Sequence, residues 1–208
     1  MGFEGAHAVL LRGYTVRGCW EGALQSDFEH YEDPSRPKDM PVPQDTLSRL
    51  AKAAKEFLRG EADLLEVGVN ERSLTHRLAV YIGPYFKDWH VDCEYNRLRD
   101  KVKSLPKPEG EAPLDDTNAI TIYPDIIVHR RQTDYNCAVI EVKKRGNNDI
   151  KLDVEKLRGM TMAGEYEYTV GLHLVIDCKA KSLSGVVAYR GGDEDAELTE
   201  LAKAMFMG

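Results

Sequence analysis

The hydrophobic positions of this chain follow two periodicities, which together predict a domain of mixed helices and strands. Apolar residues spaced three and four apart predict helices with one buried face, and short runs rich in Val and Ile predict buried strands. Glycine, proline and capping residues mark where these elements end. Helices are predicted at about residues 46–59, 70–82 and 149–162, with a last one after a cap at Asp193. Strands are predicted at about residues 89–95, 120–129, 136–143, 169–176 and 185–189.

The order of these elements between residues 68 and 178 predicts a topology: helix, strand, strand, strand, helix, strand. The first three strands can form an antiparallel meander, and the following helix then makes a right-handed crossover to a strand parallel to the third. We therefore predict an α/β fold with a mixed central sheet flanked by helices.

The ends of the chain are predicted to lie outside this pattern. Residues 1–66 are interpreted as an N-terminal extension, linker and helix, and residues 67–208 as the main domain with a C-terminal helix. Residues 8–16 can form a small hairpin, and the charged stretch 29–43, with four prolines, indicates an extended linker. Residues 104–118, rich in proline and acidic residues, predict an exposed loop.

Charged residues stand at the ends of two strands that are otherwise strongly apolar. Asp125 opens the strand that continues with Ile126, and Glu141 and Lys143 end the next strand. A strand buried on both faces has no favourable place for an unpartnered carboxylate. Side chains two apart on a strand share a face, so Glu141 and Lys143 point the same way. If the strands pair as a hairpin around residues 132–135, Asp125 lies beside Glu141.

Two carboxylates and an ammonium group at one sheet edge suit a particular chemistry. Carboxylates can hold a hard divalent cation, which prefers oxygen ligands. Such a cation can acidify water and neutralise charge on a phosphate, and a lysine can position that water. The arrangement therefore indicates phosphodiester hydrolysis.

The same residues match the pattern Pro-Asp, spacer, Asp/Glu-x-Lys, here Pro124-Asp125 followed by Glu141-Val142-Lys143. The stretch resembles the PD-(D/E)xK nuclease superfamily, which includes many restriction endonucleases. The resemblance implies a restriction-endonuclease-like αβββαβ core and a Mg²⁺-dependent nuclease that leaves a 5′-phosphate, with Mn²⁺ as a substitute cofactor. It further implies that Asp125, Glu141 and the backbone carbonyl of Val142 bind the metal, and that Lys143 orients the attacking water.

Glu71 lies on the apolar stripe of the helix at 70–82, three and seven residues before Leu74 and Leu78. One interpretation is an N-terminal carboxylate favoured by the helix dipole. The other is a glutamate that reaches the metal site, because a helix before the core sheet often supplies one in the superfamily that this chain resembles. Under the second interpretation, Glu71 completes or tunes the metal site.

Basic residues after the second motif strand are candidates for nucleic-acid binding. Lys144 and Arg145 form a basic turn, and Lys156 on the next helix is either a site-facing polar residue or a solvated lysine. The charged run at 96–103 is either a solvated face or a grip on phosphates. His129 is interpreted as a structural residue at the turn end of the hairpin, away from Asp125.

Composition sets limits on these interpretations. The 208 residues are 42% hydrophobic and 30% charged, which favours a folded core over general disorder. The net charge of −7 argues against broad, sequence-independent nucleic-acid binding, although a locally basic groove remains compatible with it. The four cysteines show no paired spacing, which favours reduced thiols in a cytoplasm. No membrane span or signal peptide is predicted.

The predicted partner is nucleic acid, with DNA favoured over RNA, and a homodimer is an allowed assembly. Two other functions remain open. The fold can serve as a catalytically silent nucleic-acid-binding or regulatory module, or as a small α/β binding protein with an acidic metal site. We expect Glu141→Ala to abolish cleavage in a nuclease and to leave the fold intact.

Overall fold

The computed structural model describes residues 40–98, 101–106 and 119–208. The hairpin predicted at 8–16, most of the linker at 29–43 and most of the loop at 104–118 lie outside these residues. In the described part of the chain, no helix is both long and apolar enough to cross a membrane. Cys93, Cys137 and Cys178 are free thiols, and Cys19 is not among the described residues.

Five helices and ten strands make up the described residues. The helices are α1 (Pro43–Gly60), α2 (Ala62–Glu66), α3 (Glu71–Ile82), α4 (Lys151–Thr161) and α5 (Ala196–Met207), with a 3₁₀ turn at Gly83–Tyr85. The strands are β1 (His90–Cys93), β2 (Arg97–Leu98), β3 (Lys101–Val102), β4 (Ser104–Pro106), β5 (Ala119–Thr121), β6 (Ile126–His129), β7 (Asn136–Lys144), β8 (Val170–Asp177), β9 (Ser182–Arg190) and β10 (Asp193–Glu194).

A six-stranded mixed sheet organises the domain, in the order β1-β6-β7-β8-β9-β10. The pairs β1–β6 and β6–β7 are antiparallel, and β7–β8 is parallel, with α4 in the connection between them. These are the strand directions predicted from the order of elements. The α/β class with a mixed central sheet flanked by helices is therefore confirmed.

Helices cover both faces of the sheet, and alternation along β7 shows how. Ile140 and Val142 belong to the core cluster shared with α1, α3 and α5. Val139 points to the opposite face and packs in a second cluster with Leu157 and Met160 of α4. Because side chains alternate along a strand, Glu141 and Lys143 lie on the α4 face, as predicted.

Three predicted helix starts are wrong, one because the helix begins earlier than predicted and two because it begins later. Asn70 caps α3 as predicted, since its side chain accepts a hydrogen bond from the Ser73 N–H. However, α1 begins earlier, at Pro43, whose ring presets a helical φ and needs no N–H partner. The predicted cap at Asp149 makes no such contact, and Asp195, two residues after the predicted cap at Asp193, caps α5.

Two predicted strands also differ from the structure. The strand predicted at 120–129 is divided, because Ala119–Thr121 pairs with β4 and Ile126–His129 joins the main sheet. Pro124 lies between them and lacks the N–H that a continuous ladder needs. The strand at 185–189, predicted to be an edge strand, is β9, and it is not at the sheet edge because β10 pairs with its outer side.

Lys103 contradicts the prediction of a solvated or phosphate-gripping run at 96–103. Its side chain is fully buried, and its ammonium lies 3.1 Å from the Tyr168 hydroxyl and 5.3 Å from the centre of the Tyr95 ring. Burial lowers the pKa of Lys103 to about 8, an effect that the charge of Asp92 only partly offsets. Aromatic faces can attract an ammonium group, which is why the lysine is tolerated there. Arg99, in the same run, lies outside the described residues.

His129 has the structural place predicted for it, buried on β6 with its Nε2 atom 2.8 Å from Asp92 Oδ2. Burial lowers the pKa of His129 to about 4, against the opposing effect of the Asp92 hydrogen bond. An unfolded histidine takes up its proton near pH 6.5, so the unfolded state binds more protons between about pH 6.5 and 4. Stability therefore decreases as the pH falls through this window.

We expect His129 to account for a loss of about 3 kcal/mol in the free energy of unfolding between pH 6.5 and 4, at about 1.4 kcal/mol per pKa unit. Urea unfolding at a series of pH values measures this slope. His129→Gln should flatten the slope, and the matched control His76→Gln, on the exposed side of α3, should leave it unchanged. Equal slopes in the parent and His129→Gln would contradict the assignment.

Candidate active site

The β6–β7 hairpin places Asp125 beside Glu141 at one rim of the sheet. Ile126 pairs with Ile140 in the antiparallel β6–β7 ladder, so Asp125 faces Glu141. The Asp125 N–H donates to Glu141 Oε1 over 3.3 Å, and the Val142 N–H donates to Asp125 Oδ2 over 2.8 Å. Asp125 therefore lies beside Glu141, as predicted for a paired hairpin, and each carboxyl group accepts a backbone N–H from the other strand.

Lys156 of α4 contacts Glu141 from the helix side of the sheet. Its ammonium lies 2.5 Å from Glu141 Oε2 and 3.2 Å from the Tyr123 carbonyl oxygen. Glu141 is fully buried and Lys156 is 7% exposed, so the pair is removed from solvent. Of the two interpretations of Lys156, the structure places this residue toward the site.

Lys143 is held by an aspartate that the sequence analysis missed. Its ammonium lies 3.0 Å from Asp153 Oδ2 on α4 and 3.7 Å from Glu71 Oε2 on α3. Behind Asp153 stands His173 of β8, with its Nε2 atom 3.8 Å from the same oxygen. His173 pairs directly with Glu141 in the parallel β7–β8 register, so Glu141, Lys143, Asp153 and His173 form one cluster.

Both missed residues carried a signal in the sequence. Asp153 precedes Lys156 by three residues and Leu157 by four, so all three share one face of α4. His173 stands in the middle of the apolar run at 169–176, where a polar side chain needs a buried partner. Asp153 and His173 are thus polar residues at positions where the sequence pattern predicts burial.

Glu71 reaches the site through Lys143 rather than through the other two carboxylates. Its Oε1 atom accepts hydrogen bonds from the Lys144 N–H over 2.9 Å and from Asn147 Nδ2 over 3.0 Å. Glu71 therefore lies against the end of β7, and its remaining oxygen faces the Lys143 ammonium. The structure brings Glu71 into the cluster, at its outer side.

The other predicted nucleic-acid contacts lie at the same end of the strand. The Lys144 ammonium donates to the carbonyl oxygens of Gly68 and Val69 over 3.0 and 2.9 Å. Arg145 forms an ion pair with Asp177 while its side chain remains 68% exposed.

Electrostatics distinguish the carboxylates at the rim from the rest of the cluster. Burial, and then the neighbouring charge of Asp125, raises the pKa of Glu141 to about 8 against the effect of Lys156. Burial also raises the pKa of Asp125, although the Val142 N–H opposes this. The pKa values of both carboxyl groups are therefore above their ordinary range. A bound cation would lower these pKa values, because it stabilises the ionised form.

Lys143 is shifted in the opposite sense. Burial alone would lower the pKa of Lys143, but Asp153 and then Glu71 raise it above the ordinary value of lysine. Burial would raise the pKa of Asp153, yet His173 and Lys143 bring it below its ordinary value. Lys143 is therefore a fixed ammonium group that can donate hydrogen bonds, and it is not poised to accept a proton.

The donor set fits Mg²⁺ through two carboxylates and not through an all-protein cage. Among residues 40–98, 101–106 and 119–208, no group of three or more His, Cys, Asp or Glu side chains converges as metal ligands. Mg²⁺ usually binds through one or two carboxylates and keeps several waters, which suits Asp125 and Glu141. Metal-ligand roles for Asp125, Glu141, the Val142 carbonyl and Glu71 all stay predictions.

Comparison with known proteins adds no further constraint. No protein-family model matches the sequence, and no match is found among curated proteins. The function of this chain is therefore inferred from its own residues and their geometry.

Proposed function

We propose that this chain is a Mg²⁺-dependent nuclease that hydrolyses phosphodiester bonds, with DNA as the favoured substrate. The observation that carries the proposal is the meeting of Asp125, Glu141 and Lys143 at one rim of the sheet, within a single network of contacts. Glu141 is fully buried, Asp125 lies partly buried beside it, and both have raised pKa values, so a divalent cation would stabilise their ionised forms.

The residues of the chain divide the chemistry among themselves. When bound, Mg²⁺ supplies positive charge that favours ionisation of the attacking water and offsets charge developing on the phosphate. Asp125 and Glu141 would hold the ion. Lys143, kept as an ammonium group by Asp153, orients the attacking water and adds positive charge next to the phosphate. Asp153 and Lys156 act as positioning residues, because they hold Lys143 and Glu141 in place.

The topology supports a more specific form of the proposal. The elements α3, β1, β6, β7, α4 and β8 follow one another in the αβββαβ order expected of a restriction-endonuclease-like core, with the short strands β2 to β5 between β1 and β6 and outside the main sheet. We propose on this ground that the chain has that core and belongs with the PD-(D/E)xK nucleases. The fold alone does not specify the activity, so the proposal depends mainly on the site.

Cleavage assays test the proposal directly. The purified chain should cut at least one member of a panel of double-stranded DNA, single-stranded DNA and RNA in Mg²⁺ or Mn²⁺, and a chelator should stop cleavage. The products should carry 5′-phosphates, which a phosphatase assay on end-labelled fragments detects. A chain that binds the panel but cuts none of it in either metal would contradict the nuclease proposal.

The second candidate function is a catalytically silent binding or regulatory module, and one contact favours it. The Lys156 ammonium already contacts Glu141 Oε2, so a metal ion has to share this carboxyl group or displace the lysine. In a silent module this ion pair would replace the metal. Such a chain would bind nucleic acid equally well with Mg²⁺ and with a chelator, and it would cut none of the panel.

A further inference from the structure

A basic cleft lies at the carboxyl ends of β7 and β8, next to the candidate active site. Its cavity volume is about 830 Å³. Four cationic side chains and two acidic ones line it, which makes the cleft locally positive in a chain of net charge −7. These charged residues, which we call the basic cleft, are Lys144, Arg145, Lys179, Lys181, Glu66 and Asp177.

The position of the basic cleft follows from the strand directions. β7 and β8 are parallel, and Lys144 pairs with Ile176 where both strands end. Ligands of open α/β sheets bind in crevices outside the carboxyl ends of parallel strands, because the loops diverge there. Here the two diverging loops begin with Arg145 and with Cys178, and both residues line the cleft.

Glu71 connects the basic cleft to the catalytic cluster. One of its oxygens accepts from the Lys144 N–H at the cleft, and the other lies 3.7 Å from the Lys143 ammonium at the site. A chain of phosphates that enters the cleft is therefore one side chain away from Lys143.

Two cationic side chains of the cleft form ion pairs but remain accessible to solvent. Arg145 is 68% exposed although it pairs with Asp177, and Lys181 is 39% exposed in its pair with Glu66. The Lys181–Glu66 pair is exposed on both sides and contributes little to stability, so a phosphate can replace Glu66 at small energetic cost. Asp177 is largely buried and also accepts from the N–H groups of Lys179 and Ala180, so it stays in place and leaves the exposed part of Arg145 open to a phosphate. Within the described residues, the Lys179 side chain makes no ion pair and is exposed.

The lining also indicates what the cleft does not read. No aromatic side chain is found among the described residues that line it, so it offers no platform on which a base could stack. Contacts from lysine and arginine to phosphates position a nucleic acid without reading its sequence.

We propose that the basic cleft holds the DNA backbone next to the cleaved phosphate, through charge and without sequence preference. This inference rests on the proposed function for its ligand, and it adds Lys179 and Lys181 as substrate-binding residues. The affinity that the cleft provides should depend strongly on salt, because each neutralised phosphate releases counterions.

The test compares Lys179→Gln/Lys181→Gln with the parent and with Lys52→Gln/Lys87→Gln, which removes two exposed lysines outside the cleft. Binding of two unrelated DNA duplexes is measured by fluorescence anisotropy with a chelator present, over a range of salt concentrations. The cleft variant should weaken binding of both duplexes alike and reduce the slope of log K against log salt by about one per lysine. The control should match the parent.

The outcomes separate this inference from the proposed function. A cleft variant with the same salt slope as the parent overturns the inference, even if the parent cuts DNA in Mg²⁺. A variant that weakens binding of only one duplex also overturns it, since the cleft would then read sequence. If the parent cuts nothing but its binding depends on the cleft lysines, the nuclease proposal fails, and of the inference only the binding of the DNA backbone by the cleft stands.

Discussion

Asp125→Asn should abolish Mg²⁺-dependent cleavage while making the folded chain more stable. Burial raises the pKa of Asp125, so its charge is unfavourable in the folded state at neutral pH. Asparagine keeps an oxygen that can accept the Val142 N–H hydrogen bond, and it removes the charge next to Glu141. We expect the free energy of unfolding to rise by about 1 kcal/mol, a common gain when a functional constraint is removed.

The loss of activity should be much larger than the gain in stability. A metal ion contributes several kcal/mol to the stabilisation of a transition state, so losing one of its ligands should reduce cleavage about a thousandfold or more. Urea unfolding and cleavage are measured on the same preparation. Asp88→Asn, at an exposed turn, is the control and should change neither quantity. An Asp125→Asn chain that is less stable and still cuts would contradict both parts.

Glu141→Ala should destabilise the fold strongly, by about 3–5 kcal/mol. Lys156 is buried against Glu141, and alanine would leave this ammonium without the carboxyl oxygen that accepts its hydrogen bond, in a site that excludes water. The Asp125 N–H would also lose its acceptor. The sequence-based expectation that Glu141→Ala leaves the fold intact is therefore revised, because it did not include the buried lysine.

A second substitution tests this reason for the instability. Lys156→Met removes the charge that Glu141→Ala leaves unpaired, so the double variant should recover much of the lost stability while cleavage remains absent. Urea midpoints with unchanged m-values would measure the recovery. A free energy of unfolding for Glu141→Ala within about 1 kcal/mol of the parent would contradict a buried contact between Glu141 and Lys156.

The sequence contained enough information for the paired motif strands but not for their surroundings. A strand that begins with Asp125 and another that ends with Glu141 and Lys143 can pair as a hairpin in only a few registers, because the short turn between them limits the choice. The β6–β7 pairing and the parallel position of β8 follow from such local rules. Alternation likewise placed Glu141 and Lys143 on one face.

Contacts between distant elements could not be obtained in the same way. Asp153 and Lys156 lie on α4, and whether they face the sheet depends on how this helix rotates when it packs on β7 and β8. Lys103 was interpreted as a surface charge because its neighbours in the sequence do not indicate a buried partner. Its partner is the Tyr168 hydroxyl, 65 residues away in the chain. Buried charges depend on partners supplied by the whole fold, and periodicity does not reveal those partners.

The claim that Asp125 and Glu141 jointly hold a divalent cation is tested most directly by Mn²⁺ binding, followed by electron paramagnetic resonance of the free ion. This measurement needs no knowledge of the substrate. We predict one Mn²⁺ per chain that Mg²⁺ displaces, the same result for Asp88→Asn, and no comparable binding by Asp125→Asn. No Mn²⁺ binding by the parent, or equal binding by Asp125→Asn, would contradict the account.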